Sequence, residues 1–238
     1  MADDRRGVAP FDHDVEVNEG YRYSANAGLS SHLANERLTE VTLRYGNLAG
    51  RSVIDVGCGD GAYTRELAGR AKPREIVGID PAARAIALAS ERNPDIRFEV
   101  GDQHWLEETD LRFDIAIARG VLHHADDPGR VVRSMCRVAN QVLLIEPNGL
   151  NPVLKVIERV SSYHREHGEK SYSPRLIDSW LQSGGMTIDT RLWAGLVPFF
   201  CPAPAARILK AVEPVVERLP VLSRAALAVY VVRATRLS

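Results

Sequence analysis

Lysine is almost missing from this chain of 238 residues, standing only at positions 72, 155, 170 and 210. Arginine carries nearly all the positive charge, a bias read as a GC-rich bacterial genome on composition alone. The charges almost cancel, at a formal net of −1. A near-neutral chain has no electrostatic footprint for DNA or RNA, so no nucleic-acid partner is expected. Cysteine is scarce too, with Cys58, Cys136 and Cys201 scattered and odd in number. That excludes a disulfide framework and gives no metal-ligand spacing, so free thiols, no metal and a reducing, cytoplasmic setting are expected. Long apolar runs are lacking. Leu192 to Ala206 is the longest charge-free stretch, but prolines interrupt it and it is too short for a ~20-residue membrane span. Met1 to Arg6 is polar and charged, unlike a signal peptide. None of the tyrosines has a lysine four residues on, and Tyr163 has His167 there instead. The Tyr-x-x-x-Lys pair of short-chain dehydrogenases is therefore absent.

What is present is concentrated at Val53 to Gly61, Val-Ile-Asp-Val-Gly-Cys-Gly-Asp-Gly, an apolar strand running into three alternate glycines with Asp55 two residues ahead of the first. Gly57, Gly59 and Gly61 allow a sharp bend and a close approach to a ligand. A helix opening near Ala62 would aim its first amides there. Gly57-x-Gly59-x-x-Ala62 also satisfies the dinucleotide fingerprint. A carboxylate at Asp55 argues against it, since it would repel a pyrophosphate but favour a cation. The stretch resembles the first motif of the class I, Rossmann-like S-adenosylmethionine-dependent methyltransferases, an acidic residue followed by Gly-x-Gly-x-Gly. The resemblance implies S-adenosylmethionine as cofactor and a small-molecule methyl acceptor.

Short apolar runs alternate with helical patterns, which predicts an α/β domain with a mainly parallel sheet. Strands are expected at Ser52 to Val56, Glu75 to Ile79, Ile96 to Val100, Phe113 to Ala118, Gln141 to Ile145, Thr187 to Trp193 and Ala226 to Ala234. Seven strands is the number in the resembled family, a three-layer α/β/α sandwich whose last strand runs antiparallel. Asp127-Pro128, Asn151-Pro152 and Ser173-Pro174 read as helix starts. The whole chain is expected to form a single methyltransferase domain with an N-terminal cap over residues 11–50, including a helix at Ser30 to Tyr45. Insertions are expected at about 148–172 and 196–224.

Ligands of such sheets bind beyond the carboxyl ends of the strands, near the reversal of strand order. Asp80 ends the second strand and offers two acceptor oxygens to a ribose diol; its competing role is capping the helix after Pro81. Asp102 and Gln103 follow the third, where relatives of the resembled family read the adenine edge; a simple turn is the alternative. Arg119 ends the fourth, where many members carry serine, asparagine or glutamate, and it either meets ligand or pairs with Asp55 or Glu146. His123 and His124 in the following loop are candidate general bases, because imidazole titrates near neutral pH. Glu146, Tyr163 and His164 are candidate substrate contacts. Tyr23, with Tyr21, is a candidate to close over the cofactor.

In 196–224 the residues Ile208, Leu209, Val212, Val215, Val216 and Leu219 recur at helical spacing, with Arg207, Lys210, Glu213, Glu217 and Arg218 set away from them. With Trp193, Leu196, Val197, Phe199 and Phe200 they suit a pocket wall for a hydrophobic metabolite, a homodimer interface, a small extra core or peripheral contact with a membrane. The sequence reading is methyl transfer from S-adenosylmethionine to oxygen, nitrogen or carbon of a small metabolite. An NAD(P)-dependent oxidoreductase and a non-catalytic cofactor-binding module are the alternatives.

Overall fold

A computed structural model describes residues 28–160 and 170–236. Tyr21, Tyr23, Tyr163 and His164 lie outside the described residues.

The elements, in chain order, are α1 (Leu29–Gly46), β1 (Ser52–Val56), α2 (Ala62–Ala71), β2 (Glu75–Asp80), α3 (Ala83–Arg92), β3 (Arg97–Val100), α4 (Gln103–Glu108), β4 (Phe113–Arg119), a 3-10 turn (Leu122–His124), α5 (Pro128–Val138), β5 (Ala139–Pro147), α6 (Pro152–Val160), α7 (Pro174–Ser183), β6 (Met186–Ala194), α8 (Ala203–Arg218), α9 (Pro220–Ala226) and β7 (Val229–Arg236). The seven strands form one sheet in the order β3-β2-β1-β4-β5-β7-β6. β7 runs antiparallel to both β5 and β6, and the remaining pairs are parallel. Strand order reverses between β1 and β4, so the carboxyl ends of these two strands flank the natural ligand crevice.

β1 and β5 are apolar over most of their length and buried on both faces, as central parallel strands must be. Leu38 and Val41 of α1 and Leu67 of α2 close one side of the sheet. Leu106 of α4, Val132 and Met135 of α5, and Ile177 and Leu181 of α7 close the other. The expected helix starts are realised by local bonds. Asp127 accepts from Arg130 N at 2.8 Å, Ser173 from Leu176 N at 3.4 Å, and Asn151 from Val153 N at 2.9 Å.

In the C-terminal third one strand boundary departs from expectation, and one helix shows which of its faces turns out. The last strand begins at Val229 rather than Ala226, because Pro220–Ala226 is helical. The apolar stripe of α8 faces out. Ile208 is 67%, Val212 43%, Val215 59% and Leu219 43% exposed, while Ala206 and Glu213 are the buried residues of that helix. The reason is a polar clamp. Arg37 of α1 holds Glu217 through two bonds of 2.9 and 2.6 Å and lies 3.8 Å from Glu213, which also receives Lys210 at 2.7 Å. Glu213 Oε2 accepts the Leu196 amide at 2.8 Å. A buried carboxylate must keep such partners, so the acidic face turns inward and the valines turn out.

Candidate active site

The loop after β1 turns through Gly57, Gly59 and Gly61 at φ of +75°, +56° and +75°. A β-carbon on Gly57 would stand 2.4 Å from Val121 Cγ2, and one on Gly61 would stand 2.8 Å from Ala89 Cβ. These glycines therefore let the loop touch the segment after β4 and let α2 settle against α3.

The loop amides are mostly spent within the protein. Gly57 N and Cys58 N both donate to Ile79 O, Gly61 N donates to Cys58 O, and Gly59 N donates to Asp80 Oδ2 at 3.0 Å. Ala62 N, expected to face a ligand from the start of α2, is directed instead to Asp60 Oδ1 at 3.3 Å. Carboxylates surround the bend, with Asp55 1%, Asp60 5% and Asp80 8% exposed. Residues 57–61 include no lysine or arginine. A pyrophosphate needs free amides or cations, and this loop offers it carboxylates. A ligand rich in donors and positive charge fits better, and S-adenosylmethionine brings a sulfonium, an ammonium and a ribose diol.

Asp55 sits at the end of β1 and accepts from Thr64 Oγ1 at 2.6 Å, which ties the strand to α2. Burial pushes its carboxyl up to about 6, against the lowering effects of the Thr64 bond and the Arg119 charge. Burial and the nearby Asp55 and Asp80 carboxylates push the Cys58 thiol well up, so it stays protonated. Asp80 is also the cap its sequence context suggested, accepting from Ala82 N at 2.9 Å. Asp102 caps α4 through Oδ1, from His104 N at 2.8 Å and Trp105 N at 3.4 Å, and Gln103 is the first residue of that helix. The strand ends thus bring the glycine loop, Asp80, Asp102 and Gln103 to one rim of the sheet.

Arg119 closes β4 and bonds to Asn35 Oδ1 of α1, with its guanidinium 4.3 Å over the Tyr63 ring. The Tyr63 hydroxyl lies 2.5 Å from Thr42 Oγ1, and burial raises it to about 12. Direct pairing of Arg119 with Glu146 does not occur, because Glu146 serves the next loop. Its Oε1 accepts Val121 N at 2.8 Å and Leu122 N at 3.0 Å, and its Oε2 lies 3.1 Å from His123 Nδ1. His124 lies against His123 with ring centroids 3.9 Å apart and ring planes tilted by 45°. The carboxylate favours a proton on His123 Nδ1, which leaves Nε2 as the acceptor nitrogen. Glu146 therefore holds the candidate base, a positioning task distinct from the substrate contact expected for it.

Asn35, Tyr63 and Thr64 escaped the sequence reading. Thr64 and Tyr63 were within reach of it, because any helix opening after Gly61 places its first turn beside Asp55 and the strand ends. Asn35 carried no local signal.

Residues 53–141 match the model of a methyltransferase domain. Over 155 residues the chain is 28% identical to a trans-aconitate 2-methyltransferase of Methylobacterium nodulans, covering 58% of each protein. Over 108 residues it is 33% identical to a ubiquinone biosynthesis O-methyltransferase of Paracidovorax citrulli, covering 43% of this chain and 42% of the relative. The alignments thus span little more than half, and less than half, of these relatives' lengths. The magnesium protoporphyrin IX methyltransferase of Synechocystis PCC 6803, solved with bound SAH, superposes with a TM-score of 0.64 over 98% of this chain and 97% of its own, at 16% identity. At that identity the likeness speaks for the fold alone. Motif, sheet order and matched segment together make this chain similar to the class I, Rossmann-like S-adenosylmethionine-dependent methyltransferases.

Proposed function

We propose that the protein transfers the methyl group of S-adenosylmethionine to an oxygen, nitrogen or carbon of a small, hydrophobic metabolite. The observation that carries this reading is the glycine bend at the carboxyl end of β1, whose amides are turned inward and whose surrounding carboxylates would repel a pyrophosphate. Gly57, Gly59, Gly61, Asp80, Asp102 and Gln103 would hold the cofactor, and Arg119 brings a cation to the same rim. Bound there, S-adenosylmethionine supplies a methyl group already activated by its sulfonium.

The protein's share is then positioning and proton removal. His123, aligned by Glu146, takes the proton from an acceptor hydroxyl or amine through Nε2. Glu146 also fixes the backbone of the 3-10 turn, so the base and the wall of the crevice move as one body. The names of the two relatives differ, trans-aconitate in one and ubiquinone biosynthesis in the other. The exposed and half-buried apolar residues around Trp193 and Phe200 favour the hydrophobic class here.

Titration calorimetry with S-adenosylhomocysteine and with NAD tests the reading. Binding of the first and not the second is expected, and the reverse would make the protein an oxidoreductase. Incubation of cell extract with isotopically labelled cofactor then identifies the acceptor by mass. Cofactor binding without any labelled product would leave a binding module.

A further inference from the structure

The outward stripe of α8, made of Ile208, Val212, Val215 and Leu219, continues into α9 at Val221 and Leu222, 81% and 50% exposed. α9 packs against both α8 and α6. On α6, Val153 and Val156 are 63% and 57% exposed. A surface of this kind on a folded chain marks contact with something apolar.

Charge identifies the partner. Among the described residues of α6, α8 and α9, the exposed charged side chains are Arg159, Arg207, Arg218 and Arg224. The acids are turned away, with Glu213 and Glu217 committed to Arg37 and Glu158 to Lys155 and Ser171. On α8 the arginines occupy the row next to the valine stripe, at 207 and 218 beside 208 and 219. An apolar face edged only by arginine suits the boundary of acyl chains and phosphates, where long arginine stems lie along the hydrocarbon and their heads reach the headgroups. A second copy fits worse, because a two-fold contact through this face would set arginines against arginines with no exposed acid between them.

We infer that the outer face of α6, α8 and α9 seats the protein on an anionic bilayer. The seat lies at the same sheet rim as the glycine bend. Asn148, just past β5, donates through Nδ2 to Arg224 O at 2.8 Å and Leu227 O at 3.0 Å, which fastens α9 to the carboxyl end of the sheet. An acceptor dissolved in the bilayer would then meet the crevice from below. The seat itself does not depend on methyl transfer.

Flotation of the full chain with vesicles tests it. Each arginine near an anionic surface is worth roughly fivefold in affinity, so with four of them phosphatidylglycerol-containing vesicles should bind several hundredfold, on the order of 600-fold, more tightly than phosphatidylcholine alone. Raising the salt from about 0.1 M to about 1 M should erase most of that preference. Val215→Glu with Leu222→Glu should abolish binding to either vesicle, and Arg207→Gln with Arg218→Gln should cut the preference by roughly 25-fold, with far-UV circular dichroism unchanged in both. Failure to bind phosphatidylglycerol vesicles, or equal binding to both, overturns the proposal. So does a dimer by light scattering that Val215→Glu dissociates, if the native protein leaves vesicles untouched.

Discussion

Asp55 is a carboxylate buried at the end of β1, and its protonation leaves a thermodynamic trace. Its carboxyl is raised from the ordinary 3.8 to about 6. Between these values the native state holds a proton that the unfolded chain has released, so stability falls as pH rises through this window and levels off above it. Asp55→Asn removes the penalty. In urea unfolding, the stability of the variant relative to the native protein should therefore grow on going from pH about 4 to pH about 7, by on the order of 3 kcal/mol. A difference that stays flat with pH would contradict the buried, ionising Asp55. His123 supplies a kinetic counterpart. His123→Ala should lower turnover of a hydroxyl acceptor by about 10² to 10⁴ while S-adenosylhomocysteine affinity holds within about twofold, measured by single-turnover kinetics and calorimetry. Loss of affinity with unchanged turnover would move His123 to the cofactor.

At the scale of elements, the connections after β1 and β4 are coupled by contact. Gly57→Ala places a β-carbon at positive φ and into Val121, which should cost about 2 to 4 kcal/mol of stability and weaken cofactor binding. Adding Val121→Ala should recover part of that loss, and strictly additive effects in the double mutant would deny the contact. Helix starts show why much of the fold was legible. Asp127, Asn151 and Ser173 each act on amides two or three residues away, so their meaning is complete within a few positions of sequence. The strands were legible for a similar reason, as β-rich apolar runs ended by glycine, proline or aspartate. α8 was not. Its orientation is set by Arg37, 180 residues from Glu217, and a periodic apolar stripe alone cannot announce that its opposite, acidic face has a buried partner. Likewise Arg119 was visible as a strand-end residue, while its anchor Asn35 lies 84 positions away. The ends of the strands announced themselves, and the long-range polar partners did not.

Across the whole molecule, stability is unevenly distributed. β1, β4 and β5 are buried along nearly their full length, whereas α8 buries only Ala206 and Glu213 and is retained by a polar clamp. Opening of the α8 and α9 layer exposes little new apolar surface, so it should occur well below the global unfolding free energy. Hydrogen exchange should therefore run orders of magnitude faster in α8 than in β4 and β5. Arg37→Ala should accelerate it further and lower overall stability by about 2 to 3 kcal/mol, because Glu213 loses part of its compensation. Equal protection of helix and sheet would show that the layer is an integral part of the core.

The missing side chain at Gly57 carries one more implication. The turn that would grip the nucleoside and the turn that bears the imidazole share a single wall, Val121 pressed against bare backbone. Evolution or engineering that retunes one grip must therefore reshape the other, so variants selected for tighter cofactor capture should arrive with altered acceptor preference.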